Sequence, residues 1–335
     1  MRALSLLLLA SLAFCVGCSS ERVPGVCCAS DIECARLGLP PGSATEYGCS
    51  SGQVCRDFYC VAEEVPDAPE LDAAIDAPPS GRCNPNAPFG PPARLANMND
   101  SQVEDLSLAL AGDQLKAYLV RFASVGSYAV LTSKRASPES NFSMPTADPA
   151  LSDLLSISGE EVYLYPSFDD LYLYYRREPF WYVSSRLSTD AAFDYGAIIY
   201  ADGTPLSAGR IMISSNSTTL YWSLADSPLH AATQSGNYVR FISTRSATLF
   251  NLTDFAISAD ELTLYYSNYP IADISRTTRT SKNVPFDVGA PVANVNTAGL
   301  DVPLYISPDD CFLYLRSGAT VSTSENDIWI ARRGL

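Results

Sequence analysis

Apolar and polar positions along this chain fall into short alternating runs, and the runs repeat. Five stretches share one pattern: a small residue or Ser, any residue, Asp or Asn, two or three turn residues, then an apolar–Tyr–apolar run. They are Ala111–Leu119, Ser167–Tyr175, Ser214–Trp222, Ser258–Tyr266 and Ser307–Leu315. A period of roughly fifty residues built from short strands predicts a repeat architecture, and for strand-only repeats a β-propeller.

Aligned on Tyr118, Tyr174, Tyr221, Tyr265 and Tyr314, the repeats place Asp113, Asp169, Asn216, Asp260 and Asp309 five positions earlier. Asp and Asn cap their own backbone and tolerate left-handed geometry, so this column predicts a hairpin turn. Apolar residues on both faces of the second strand, as in Leu171-Tyr172-Leu173-Tyr174-Tyr175, predict a sheet buried on both sides. A propeller blade meets that requirement.

Downstream of each hairpin lies a β-prone run ending in a basic residue: Tyr128–Arg135, Trp181–Arg186, Tyr238–Arg245, Ile274–Arg279 and Ile328–Arg332. Phe142, Phe193, Phe250 and Phe286 follow four of these runs, whereas the fifth phenylalanine, Phe89, precedes the first repeat. That offset predicts ring closure in which the strand near Phe89 completes the last blade and leaves no free sheet edge. Five blades are expected, or six if a degenerate one lies around Asp226–Gly236.

The repeats resemble the TolB-type, WD-like propeller of exported bacterial proteins. The fullest matches are Ile257–Tyr266 and Ile306–Leu315, with Asp327–Arg332 closing the chain. The resemblance covers about three-quarters of the chain and implies an all-β propeller over 83–335. That family often has Gly after the turn Asp. Here Gln114, Asp170, Ser217, Glu261 and Asp310 stand instead, which leaves the turn type open.

The N-terminus adds an address. One positive charge, an apolar run from Ala3 to Phe14 and then Val16-Gly17-Cys18-Ser19 read as a secretory signal, too short to span a membrane. The Gly-Cys ending resembles a bacterial lipoprotein signal. The resemblance implies removal of 1–17, acylation of Cys18 and, with Ser19 following, the outer membrane of a Gram-negative bacterium. Ordinary cleavage nearby is the alternative.

Ten cysteines occur; Cys15 leaves with the signal and Cys18 is committed to lipid. Cys27, Cys28, Cys34, Cys49, Cys55, Cys60, Cys83 and Cys311 remain, an even number that predicts disulfides in an exported protein. The first six define a small disulfide-rich module over 18–60, which has too few aliphatic residues for a core of its own. Their spacing lacks paired zinc knuckles, so no metal is expected. Residues 61–82 are acidic and rich in Pro and Ala, which predicts an extended spacer reaching roughly 60–70 Å. A Cys83–Cys311 bond would fasten the first strand to the last blade; a buried free thiol at Cys311 is the alternative.

A net charge of −15 argues against nucleic acid and against binding anionic lipid by charge. The paired acids Asp169-Asp170, Asp260-Glu261 and Asp309-Asp310 fall in the turn column and are read as hairpin residues. Asp105, Glu161 and Asp301 precede the first strand of their blades and would converge at one channel mouth, where the third and fourth repeats offer Ala208 and Leu252. Converging carboxylates would suit either a bound cation or a carbohydrate-active hydrolase. Tyr and Trp, as at Tyr172 and Trp181, are read as blade packing, and the one histidine, His230, as a solvated loop residue. Asn-x-Ser/Thr at Asn99, Asn141, Asn216 and Asn251 is read as chance. No cofactor is implied. The preferred expectation is a non-catalytic, lipid-anchored propeller that binds an envelope protein or surface polysaccharide, with the hydrolase as the alternative.

Overall fold

In the computed structural model the chain forms two compact units, Met1–Ala74 and Ile75–Leu335. The structure describes residues 53–56, 59–62 and 82–334, apart from 101–102, 125–126, 150, 152–162, 225–227, 251, 269–272 and 319–325. In the first unit, Gln53–Arg56 and Tyr59–Ala62 pair as an antiparallel hairpin with Cys55 opposite Cys60. Cys18, Cys27, Cys28, Cys34 and Cys49 lie outside the described residues.

The second unit is a five-bladed propeller. Leu164–Pro166, Tyr172–Arg177, Phe180–Ser185 and Ala197–Ile198 form the second blade as a plain antiparallel sheet, and the other blades repeat this order. In the fifth blade the outer strand is Ala93–Arg94, which pairs with Ile330 and Trp329, while Phe89 bridges Arg333. The N-terminal segment thus closes the ring as the Phe89 offset predicts. Beside it a Cys83–Cys311 disulfide joins residues 228 positions apart. Tyr118, Tyr174, Tyr221, Tyr265 and Tyr314, the alignment column itself, are all essentially buried. Each ring fills the wedge between neighbouring sheets, where a large flat side chain suits the taper.

Among the described residues of 226–236 no sixth blade lies: Pro228–Ser235 belongs to an enlarged third blade, where it pairs with the long strand Asn237–Phe250. The hairpin Tyr200–Ala201 and Thr204–Pro205 joins its outer edge in parallel, giving six strands. His230 therefore sits in a strand, stacked 5.0 Å from the Trp222 ring, and is not a solvated loop residue.

The turns resolve the question left open by the missing glycines. Asp170 N donates to Ser167 O, and Asp170 itself has φ of 58°. Gln114, Ser217, Glu261 and Asp310 repeat this left-handed conformation. The Asp before each one fastens the loop: Asp169 Oδ1 accepts from Ser167 Oγ (2.5 Å) and Leu171 N (3.0 Å), and Asp260 and Asp309 do the same. A non-glycine residue in this conformation costs about 1 kcal/mol, so the side chain must contribute elsewhere.

It does so with the arginines that end the third strands. Arg135, Arg186, Arg279 and Arg333 each donate Nε to the carbonyl of the left-handed residue, Gln114, Asp170, Glu261 and Asp310 respectively. Their guanidinium groups lie over Phe142, Phe193, Phe286 and Phe89 at 4.0–4.4 Å from the ring centres. A desolvated cation over a ring contributes about 1–2 kcal/mol. The recurring Arg and Phe are thus one packed unit. Two members differ from expectation. The closing arginine is Arg333 rather than Arg332, and the third blade has Gln234 at this place instead of Arg245, because Tyr238–Arg245 lies in the fourth strand there.

Candidate functional site

The central channel has two unlike ends. At the end where the first strands begin, Asp105 is fully buried; Arg121 Nε donates to its Oδ1 (2.7 Å) and Asp100 N to its Oδ2 (3.4 Å). Asp301 is equally buried and accepts from Thr297 N (2.6 Å) and Thr297 Oγ1 (3.0 Å). Burial raises the pKa of both carboxyls; Arg121 opposes the rise at Asp105, and Ser317 and Thr297 oppose it at Asp301. Glu161 lies outside the described residues.

At the third and fourth blades this end carries an ion pair that the sequence reading missed, Arg210 with Asp254 at 3.1 Å, both nearly buried. A register shift between Leu252 and Asp254 moves the acid two residues beyond the expected column. Arg210 also donates to Leu304 O. The acids at this end therefore hold loops and neighbouring strands. Asp105 and Asp301 show no exposure to solvent, whereas acid–base work on a sugar needs carboxyls that a substrate can reach. Among the described residues no three His, Cys, Asp or Glu side chains gather as a metal-binding set.

The loops behind these acids show a second short repeat. Leu95-Ala96-Asn97-Met98-Asn99 and Val292-Ala293-Asn294-Val295-Asn296 both carry a left-handed Asn at the third position. The last Asn then grips a third strand as a backbone would. Asn99 Oδ1 accepts from Ile328 N (2.6 Å) while its Nδ2 donates to Ile328 O (2.9 Å), and Asn296 does likewise with Ile274. Asn99 thus has a structural use that its sequon pattern does not suggest.

The other end carries the hairpin turns. Here all five blades line an apolar funnel, with Phe168, Met212, Ala259, Tyr305 and Pro308 among its walls, narrowing to a cavity of about 40 Å³. That space holds no more than a few waters. Around it stand the exposed turn carboxylates Asp113, Asp169 and Asp260. Asp309 differs: it is buried and ion-paired with Arg82, the residue before Cys83.

Exposed apolar side chains concentrate toward this end. Of seven large ones exposed among the described residues, Met144, Leu187, Tyr195, Val284 and Val288 lie in the connections between third and fourth strands; Ile242 and Leu300 are the others. Those connections follow Arg135, Arg186 and Arg279, whose backbone N–H groups donate to Leu115, Leu171 and Leu262 beside the hairpin turns. Leu187 and Tyr195 are 96% and 98% exposed, so neither contributes to the core. The sequence carried a signal for three of them: Phe142, Phe193 and Phe286 of the Arg–Phe units are followed two positions later by Met144, Tyr195 and Val288, whereas Phe89 is followed by Pro91.

No protein-family model matches the chain, and no curated protein matches it. Solved structures similar to it include Kuenenia stuttgartiensis hydrazine synthase, at 9% identity and a TM-score of 0.39 over 65% of this chain and 57% of that one. The chain thus spans less than two thirds of that protein's length. The β-propeller domain of Myceliophteria thermophila Cps50 (Swd1) is similar at 8% identity and a TM-score of 0.39, over 69% of this chain and 71% of that one. A chain of a nidogen/laminin complex matches at 12% identity and a TM-score of 0.39, over 64% and 72%. The likeness is one of architecture.

Proposed function

We propose that this chain is an exported, lipid-anchored propeller that binds another protein of the cell envelope through its turn end, without catalysis. The observation that carries the reading is that five of the seven large exposed apolar side chains among the described residues lie in connections at that end. A monomeric surface scatters such residues singly, whereas a gathering of them marks a contact surface. The turns and connections that display them stand on a rigid frame of Arg–Phe and Tyr–carboxylate contacts, which keeps them ordered before binding. Acylation at Cys18 would fix the chain to a membrane, with 61–82 as the spacer. The reading follows from Gly17-Cys18-Ser19 and from the Pro/Ala composition of that segment.

A photo-crosslinking residue placed at Met144, Tyr195 or Val288 in the native host should yield a discrete protein adduct. The same residue at Arg177, exposed at the opposite end, should yield none. Adducts from both ends alike, or from neither, would remove the turn end as the binding surface. Cys18→Ser should abolish acyl labelling and release the chain from the membrane fraction; retention there would reject the anchor.

A further inference from the structure

Two of the five hairpins share a fuller pattern than the rest, Ser-x-Asp-Asp-x-aromatic. They are Ser167–Tyr172 in the second blade and Ser307–Phe312 in the fifth. At the same place as the aromatic residue the other blades have Lys116, Thr219 and Thr263.

In the fifth blade this hairpin holds a guanidinium. Arg82 Nε donates to Asp309 Oδ2 at 2.7 Å, and its planar head lies 5.2 Å from the centre of the Phe312 ring. A carboxylate of the neighbouring blade, Glu139, takes Nη1 at 3.0 Å. Asp309 can do this because its Oδ1 is spent within the turn, on Ser307 Oγ and Cys311 N, which leaves Oδ2 facing outward.

The second blade repeats the turn, its carboxylate and the ring of that arrangement, with no counterpart of Glu139 among the described residues. Asp169 Oδ1 is spent on Ser167 Oγ and Leu171 N, and Oδ2 has no partner among the described residues. Asp169 is exposed, and Tyr172 beside it is half-buried. From the neighbouring third blade comes Tyr238, its ring 5.0 Å from that of Tyr172. An exposed carboxylate thus stands on the same hairpin as the Tyr172 ring, which packs against that of Tyr238. A guanidinium fits such a place better than an ammonium does, because it is planar, stacks on rings and presents paired donors.

We propose that Asp169 and Tyr172, with Tyr238 beside them, form a second guanidinium site, a counterpart of the one Arg82 occupies, and that it receives an arginine side chain of the partner protein. The protein-binding reading enters only as the source of that arginine. A second copy of this chain is a poor source, since two bodies each carrying a net charge of −15 repel. Phe168 places the site beside the funnel, so an arginine next to an apolar residue would engage both at once.

The test uses the full chain with N-acetyl-arginine methylamide as probe and N-acetyl-lysine methylamide as its comparison, followed by NMR. The arginine probe should shift the Asp169 and Leu171 amide signals saturably and bind at least about fivefold more tightly than the lysine probe. Asp169→Asn should abolish the response without unfolding the turn, because Asn216 already fastens the third-blade turn through its own Oδ1. Tyr172→Leu should abolish it as well, and Asp113→Asn should leave it intact. No saturable shift, equal response to both probes, or binding that survives Asp169→Asn would overturn the proposal. If arginine fails while turn-end adducts form, this site falls and the protein-binding reading stands. If arginine binds and no adducts form, the guanidinium site stands and the reading of its source falls.

Discussion

The hydroxyl of Tyr118 crosses from the first blade to the second and donates to Asp170 Oδ1 at 2.5 Å. Arg186 of the second blade completes a triangle by donating Nε to Asp170 O and pairing its Nη2 with Asp170 Oδ2. The same triangle recurs as Tyr221, Glu261 and Arg279, and as Tyr265, Asp310 and Arg333. This explains why carboxylates occupy left-handed turn positions that glycine would fill at lower strain. Each one joins its own blade to the preceding tyrosine in a buried place, where charge-assisted bonds are strong.

Removing one such hydroxyl should therefore be costly. Tyr221→Phe or Tyr265→Phe leaves a buried carboxylate one donor short, at about 1.5–3 kcal/mol. Tyr174→Phe should cost well under 1 kcal/mol, because the next blade has Ser217 and Gln234 where the second, fourth and fifth blades have an acid and an arginine. Urea unfolding of the three variants decides the matter. Equal losses at all three would mean that the rings matter and the hydroxyls do not.

The seam between the fifth and first blades has the one incomplete triangle among those that keep the arginine. Gln114 replaces the acid, and Gln114 Oε1, Arg135 Nη2 and Tyr314 Oη are all buried without a hydrogen-bond partner. Gln114→Glu supplies an acceptor for both donors in a side chain of the same length. We expect stabilisation of about 1 kcal/mol, read as a higher urea midpoint with unchanged slope. A lower midpoint would show that desolvating the new charge outweighs the bonds it gains.

Much of the ring was legible because its signals are local. The Asp or Asn column marks turns that cap themselves, and two-sided apolar strands such as Leu171–Tyr175 demand sheets on both sides. The closure was legible through Phe89, since a unit displaced from one end of a repeat array must be returned at the other. What stayed hidden is contact between residues distant in sequence. Nothing in the order of residues shows that Asp170 reaches Tyr118, or that Arg186 stacks on Phe193 rather than ending a strand in solvent. The third blade misled because its third strand is followed at once by a long fourth, so Arg245 and Phe250 match the spacing of an Arg–Phe unit while lying in the fourth strand. At the far end of the channel, Asp105 and Asp301 lie within the first strands of their blades rather than before them, and their burial and Arg210–Asp254 depend on packing that periodicity does not encode.

The Cys83–Cys311 bond closes a loop spanning 228 residues of separation. Loop-closure entropy puts its contribution at about 5 kcal/mol, less any strain in the native geometry. Its loss should lower the urea midpoint of the propeller and raise the slope, because the unlinked denatured chain is less compact. Cys83→Ala with Cys311→Ala is the cleaner variant, since reduction alone also reaches the cysteines of 18–60. If that double variant unfolds where the parent does, the Ala93–Arg94 pairing and the Arg333–Phe89 contact suffice to hold the seam.

Buried tyrosines give the propeller a distinct alkaline limit. Burial raises the pKa of Tyr118, Tyr165, Tyr174, Tyr221, Tyr265, Tyr305 and Tyr314 above the usual phenol value of 10.0. At Tyr118, Tyr221 and Tyr265 the neighbouring carboxylates Asp170, Glu261 and Asp310 raise it further. In the unfolded chain these phenols ionise near the usual value, so above it the native state binds more protons than the unfolded state. Stability from these groups is complete below pH of about 10 and falls as pH rises through the interval up to the native values. Absorbance at 295 nm should accordingly rise in two phases. The first should be smooth and reversible, and the buried set should then ionise in one steep step that coincides with loss of the β-sheet circular dichroism signal. Tyr118→Phe should reduce the amplitude of the steep step and leave the first phase unchanged. A single smooth titration completed while the sheet signal persists would show that water reaches these rings in the native ring of blades.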